Sequence, residues 1–295
     1  MKEPRGPWDN GAVPEQPFLP DRFADRSDRG KLRLTGPQRA WFLHQVLTQS
    51  FEDIAEGESR DAAMLTPHGR MLGYLEVVSA GDALLAHFES DLRDVLPPAL
   101  ERYVFATRVE IADVTEEMGL VLVTGEQWRA VAGSNDVIAH PTRALGAEAA
   151  YLWVARAGLN ALLHSLSELG LGRADEEELE AVRVANGVPR WGREMTPKSL
   201  PQEAGIDDVA VHYDKGCYLG QEAMAKIHFR GRVNRRLRRL RTRGRAPAAA
   251  EVRYDGERVG SVTSVAEGHA LAILRRDVAK DAIVTAGAVS AVVVD

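Results

Sequence analysis

The sequence predicts an α+β protein that mixes helices and strands over most of its length and ends in a small β-only lobe. Three observations carry this reading. Apolar residues switch repeatedly between helical and alternating spacing before residue 190. The last sixty or so residues (about 60) carry strand patterning and turn signals only. The composition is that of an ordinary folded chain, 45% hydrophobic and 27% charged over 295 residues. That length suggests two or more domains or sub-lobes, with a core that needs no disulfide.

The elements follow in order. Met1 to Pro20 is rich in Pro and Gly and lacks the apolar stretch of a secretory signal, so residues 1–30 read as an extended arm. Lys31 to Leu34 alternates charged and apolar residues, as a half-buried strand does. Thr35 is the expected N-cap of a helix with Phe42, Leu43, Val46 and Leu47 on one face. Met64 to Leu75 reads as strand, tight turn, strand. The second strand continues to Val78, and Ala83 to Phe88 adds another. A helix is expected from Pro98 to Tyr103, since proline is tolerated in a first turn.

Strands at Val109 to Val114 and Leu120 to Val123 precede a short helix at Gln127 to Ala132. A strand at Tyr151 to Ala155 and a helix at Leu159 to Leu169, closed by Gly170, come next. This order predicts a second α+β lobe of ferredoxin-like type over about 109–185. Asp175 to Glu178 suits the positive end of a helix that stops at Asn186-Gly187. Val188 to Asp214 has few regular signals, and long loops in compact domains are often functional. Strands at Arg236 to Arg241, Glu251 to Tyr254, Glu257 to Ser264, Ala270 to Leu274 and Ala291 to Val294 predict a barrel over 234–295. Asp255-Gly256 marks a hairpin turn within it.

Charge narrows the partners. Lys226 to Arg245 holds ten Lys/Arg and no acid, so the rest of the chain carries −16 behind a net −6. Such a stripe suits an anionic partner or a solvated strand face. No apolar run approaches the roughly 20 residues of a membrane span. One cysteine fits a reducing compartment, hence a cytoplasmic protein.

That cysteine is Cys217, between Gly216 and Gly220 and before a helix-like segment, Glu222 to Ile227. Lys215 and the helix start both favour thiolate over thiol. The residues leave a nucleophile, a redox thiol and a single metal ligand open. His212 and His228 are the nearest bases. The chain has no C-x-x-C, no H-E-x-x-H, no phosphate-cradling loop and no dinucleotide fingerprint. A protein-held metal, ATP-driven chemistry and hydride transfer are therefore disfavoured. An iron–sulfur cluster usually takes four thiolates, so this chain could at most share one with another protein. Trp41, Trp191 and Tyr218 could stack on a flat heterocycle.

Lys215-Gly216-Cys217-Tyr218-Leu219-Gly220-Gln221-Glu222 resembles the K-G-C-Y-x-G-Q-E signature of the YgfZ family of folate-binding proteins. That family is related to the glycine-cleavage T-protein and to mitochondrial iron–sulfur assembly factors. Arg183 to Pro189 is similar to the family's R-x-x-x-G-x-P, and Leu200 to Gly205 to its P-x-E-x-G. Phe229-Arg230-Gly231 follows at the usual distance, and Val259 to Ser264 resembles a T-protein barrel strand. The resemblance implies a three-lobed T-protein-like ring with a C-terminal β-barrel lobe, spanning 31–233 and 234–295. It also implies tetrahydrofolate, or a derivative, bound at the centre and support of iron–sulfur cluster assembly or repair by way of partner proteins. The link to tRNA modification would be indirect.

On that footing Cys217 and Lys215 are the expected reactive pair. Tyr218, Gln221, Glu203, Trp191 and Arg230 are the expected folate contacts. Two departures argue against aminomethyl transfer. Gly73 and Tyr74 occupy the positions of the T-protein's acids, and Ala185 that of its pterin-binding glutamate. A folate-dependent one-carbon transferase would need Glu76, the near replacement. An RNA-binding module would use the 226–245 stripe, with only Phe229 to stack on bases.

Overall fold

Three sheets, each with its own apolar core, divide the chain into lobes. This computed structural model describes residues 19, 21–132, 134 and 136–295, and the side chain of Arg230 falls outside the described part. The first stretch runs β1 (Arg22–Asp25), β2 (Gly30–Thr35), α1 (Arg39–Val46), β3 (Ser59–Leu65), β4 (Met71–Ala80), β5 (Ala83–Phe88), α2 (Leu96–Glu101) and β6 (Glu110–Asp113). The middle runs β7 (Met118–Thr124), β8 (Val137–Pro141), β9 (Ala149–Ala155), α3 (Leu159–Glu168), β10 (Gly172–Arg173) and α4 (Glu176–Asn186). Three short helices follow: α5 (Pro201–Ala204), α6 (Asp207–Ala210) and α7 (Gln221–Arg230). The last lobe holds β11 (Arg235–Thr242), β12 (Glu251–Tyr254), β13 (Glu257–Ala266), β14 (His269–Arg275), β15 (Ile283–Ala286) and β16 (Val289–Val293).

The first sheet has the order β3-β4-β5-β2-β6 and the second β10-β1-β7-β9-β8. The last six strands close a barrel, which leaves no open edge. The barrel interior is small and aliphatic, built from Leu240, Val252, Val262, Ala272, Val284 and Ala291 among others. The expected turn joins β12 to β13. Asp255 (φ 50°) and Gly256 (φ 81°) are both left-handed, as a tight hairpin requires. A further cluster seals the first two lobes, with Val78 and Leu85 packed against Leu120, Tyr151, Trp153 and Leu179. Helix α4 is capped as its acids suggest. Asp175 accepts from the Glu178 N–H at 2.9 Å, and Gly187 ends the helix with φ 80°.

Three expectations change. Arg22–Asp25 of the arm expected over 1–30 is instead a strand, because buried Phe23 pulls β1 into the second sheet against β7. Residues 1–18 and 20 of that arm lie outside the described part. The ferredoxin-like reading from Val109 fails at its first strand, since β6 pairs with β2 in the first sheet. Its place is taken by β1, drawn from 90 or so residues upstream (about 90), as non-local strand pairing allows. Thr35 does not cap α1; Gly36 turns the chain with φ 97° and Gln38 is the N-cap.

Candidate functional site

The cysteine loop is fixed at its root and open at its tip. Lys215 is buried, and its Nζ donates to the carbonyls of His44, Leu47 and Gln49, the last at 2.9 Å. These carbonyls sit at or just past the end of α1, where helix acceptors lack partners. Burial pulls the Lys215 ammonium down to about 7. The three acceptors and the negative end of the helix favour its charged form. The Nζ also lies 4.8 Å from the centre of the Tyr218 ring. Tyr218 is buried in the first lobe's core, and burial pushes its phenol up to about 12. Gln221 Nε2 donates back to the Lys215 carbonyl at 3.4 Å. Gly220 (φ 82°) allows the loop to lie on the β3–β4 turn; a Cβ there would stand 2.5 Å from the Thr66 carbonyl. Cys217 is exposed. His228 stacks on Tyr213 with ring centres 3.7 Å apart, and His212 faces a cavity wall.

That cavity system lies where the lobes meet. A chamber of about 900 Å³ is lined by β3–β5, β9, the β8–β9 connection, α4 and the segment 187–209. A second, of about 700 Å³, shares Asp61, Glu76, Thr142 and Arg143 with it and reaches Gln49, Arg60 and His212. Among the expected folate contacts whose side chains are described, Trp191 alone lines the large chamber, and Glu76, the carboxylate of the transferase reading, lines it too. Cys217, Lys215, Tyr218 and Gln221 line neither. Glu203 accepts from the Leu200 N–H at 3.0 Å, capping α5, and pairs with Arg70 at 3.2 Å. Trp41 is 44% exposed on α1.

The chamber's polar wall comes from strand register. Asp61, Glu76 and His87 are directly paired across β3, β4 and β5, so they form one row on one face. Tyr74 and Glu76, two apart on β4, share that face. Gly73 points the other way: a Cβ there would meet Leu96 at 2.6 Å. From the second sheet, His140 Nδ1 stands 3.1 Å from Glu76 Oε1, and Thr142 Oγ1 donates to Glu76 Oε2 at 2.8 Å. Trp153 Nε1 donates to His140 Nε2 at 3.2 Å, which leaves the proton of neutral His140 on Nδ1. Burial, and then the neighbouring Glu76, push the Asp61 carboxyl up to about 7. Burial holds His87 well below the usual histidine range.

Glu76, His87 and His140 have ligand atoms within 4.8 Å of one another. Metal binding through His140 Nδ1 would need that proton removed while Trp153 still occupies the other nitrogen, so the trio is a poor cation cage. Asp61, His87 and His140 were not legible as site residues. The available signal was a polar residue inside an apolar run: Glu76 beside Leu75 and Val77, His87 between Ala86 and Phe88.

The remaining motifs hold lobes together. Arg183 is buried and donates to Glu180, Glu194 and Ser264 at 2.7, 3.0 and 2.8 Å, and Ser264 donates to Glu194 at 2.6 Å. This ties α4, the segment after it and β13 into one clamp. In the basic stripe, Arg239 donates to the Ala185 carbonyl at 2.9 Å and Arg245 pairs with Glu177 at 2.7 Å. Arg232, Arg235 and Arg236 are exposed, as is Phe229. No helix among the described residues is long and apolar enough to cross a membrane.

Comparison with known proteins fits this architecture. Residues 234–295 match the family described as CAF17, C-terminal beta-barrel domain. A chloroplastic protein of Arabidopsis thaliana named as a transferase is 25% identical over 88% of this chain, which spans 63% of that relative's length. The tRNA-modifying protein YgfZ of Klebsiella pneumoniae is 24% identical over 81% of this chain and 78% of its own. A mitochondrial iron–sulfur cluster assembly factor IBA57 homolog of Yarrowia lipolytica is 31% identical over 32% of this chain and 21% of its own. The glycine cleavage system aminomethyltransferase T of Bartonella henselae superposes with a TM-score of 0.82 at 18% identity, covering 92% of this chain and 84% of its own. The chain is thus similar in sequence to the YgfZ and IBA57 proteins, has the fold of the aminomethyltransferase, and ends in a barrel that matches the CAF17 C-terminal domain.

Proposed function

We propose that the protein binds a tetrahydrofolate in the central chamber and supports iron–sulfur cluster assembly or repair, with Cys217 as its externally presented thiol. The observation that carries this is the division of labour in the structure. A chamber of about 900 Å³ with a polar wall lies between the lobes, and an exposed thiol stands on an anchored loop outside it. The volume is within the usual range for small-molecule sites, roughly 300–1,000 Å³. Trp191 supplies a flat apolar surface on the chamber wall. The names of the YgfZ and IBA57 relatives supply the iron–sulfur and tRNA context, and any effect on tRNA modification is indirect in this reading. Partners are iron–sulfur assembly proteins or enzymes, met at the Cys217 face, in a cytoplasmic setting.

Complementation tests the thiol. In a strain lacking the protein, Cys217→Ala should fail to restore iron–sulfur enzyme activity that the wild type restores. Full restoration would overturn the role of Cys217.

A second reading, a folate-dependent one-carbon transferase, is favoured by Glu76, which places a carboxylate on the chamber face of β4. It predicts turnover of tetrahydrofolate with an aminomethyl or N-methyl donor. No turnover across such a panel ends it.

A further inference from the structure

The strongest unexplained feature is the row Asp61–Glu76–His87. Two carboxyl groups sit directly opposite each other on neighbouring strands, an arrangement that destabilises a sheet. His87 is 2% exposed, faces the chamber, and neither ring nitrogen has a hydrogen-bond partner among the described residues. An orphaned buried polar group is costly, and a bound ligand is one way to satisfy it. Meanwhile Glu76 is held rigidly. Thr142 donates to Oε2, His140 Nδ1 stands 3.1 Å from Oε1 and 3.2 Å from the Pro141 carbonyl, and Trp153 donates to the other ring nitrogen of His140. Each carboxylate oxygen keeps a second lone pair. His87 Nε2 stands 3.6 Å from Glu76 Oε2, beyond hydrogen-bond reach.

A carboxylate with both oxygens available matches a ligand edge bearing two parallel N–H donors. His87, neutral in its burial, adds one donor and one acceptor next to it. The 2-amino-4-oxopyrimidine half of a pterin presents such an edge: ring N–H and exocyclic amine side by side, flanked by acceptors.

We propose that Glu76 and His87 read the pterin edge of the folate, with His140, Thr142 and Trp153 as positioning residues that hold Glu76. This rests on the folate reading above. It moves the pterin-recognising carboxylate from α4, where Ala185 stands, to β4 on the facing sheet.

The test is titration of three probes: tetrahydrofolate, pterin, and p-aminobenzoylglutamate, which has no pterin edge. Glu76→Gln should weaken tetrahydrofolate and pterin by about 30-fold, as loss of a charged acceptor facing two donors implies, and His87→Phe by about 10-fold. Neither should change p-aminobenzoylglutamate. The wild type alone gives a parallel readout that no folding defect can spoil. Lumazine, with an oxo group in place of the 2-amino group, should bind at least about tenfold more weakly than pterin. Equal affinity for pterin and lumazine, or folate binding insensitive to folded Glu76 and His87 variants, overturns the Glu76–His87 assignment and leaves the folate reading standing. No binding of tetrahydrofolate or pterin by the wild type overturns both.

Discussion

The cysteine loop and the chamber wall are opposites in how they are built. The loop is an eight-residue run of unusual residues, and almost all of it serves to hold itself in place. Lys215 plugs the end of α1, Tyr218 fills the core, Gln221 ties back to Lys215, and Gly220 permits close contact with the β3–β4 turn. What remains free is the sulfur. The chamber wall is made of unremarkable residues scattered over β3, β4, β5 and β8, and there the polar atoms converge. A memorable motif can thus be mostly scaffold, while binding chemistry comes from register.

The largest expected effect strikes the scaffold that both regions share. Arg183→Met leaves the buried Glu194 carboxylate without its counter-charge and should destabilise the protein by about 3–5 kcal/mol in urea unfolding. The double variant Arg183→Met/Glu194→Met should recover much of that loss, because no uncompensated charge remains.

Next, Lys215→Met orphans three carbonyls around the end of α1 and should cost about 2–3 kcal/mol. Folate affinity should change little, since Lys215 lines neither cavity. A Lys215 variant that loses folate affinity with stability unchanged would erase the contrast between the regions.

Third comes pH. The Asp61 carboxyl titrates near 7 when folded, against about 3.9 in an unfolded chain. Between these values the folded state holds the extra proton, so Asp61 makes stability fall as pH rises from about 4 to about 7. Asp61→Asn should remove that part of the slope and raise stability at pH 8 relative to the wild type. Parallel melting curves for the two proteins from pH 5 to 8 would contradict the buried-acid account. Smallest of all, Cys217→Ser should shift stability by no more than about 0.5 kcal/mol, as expected for an exposed side chain.

Much of the fold was legible. Asp255-Gly256 announced its hairpin, Asp175 to Gly187 marked both ends of α4, and the strand-turn-strand over Met64 to Leu75 is β3–β4. Strand β1 was hidden because Arg22–Asp25 is short and becomes a strand by pairing with β7 and β10, far away in the chain. Strand β8 was missed because it becomes a strand by pairing with β9. The site was far less legible. Cys217 and Lys215 stand out in the sequence, but His87 and His140 are single polar residues separated by 50 or so positions (about 50), brought together when two sheets pack face to face. Local pattern carries no trace of that meeting.

The most direct measurement is equilibrium titration of tetrahydrofolate into the wild type and Cys217→Ala. The division between a binding chamber and a presented thiol predicts saturable binding with the same affinity, within about twofold, for both proteins, since an exposed residue outside the chamber contributes no contact. A tenfold or greater loss in Cys217→Ala (about 1.4 kcal/mol), or no saturable binding by the wild type, would contradict it.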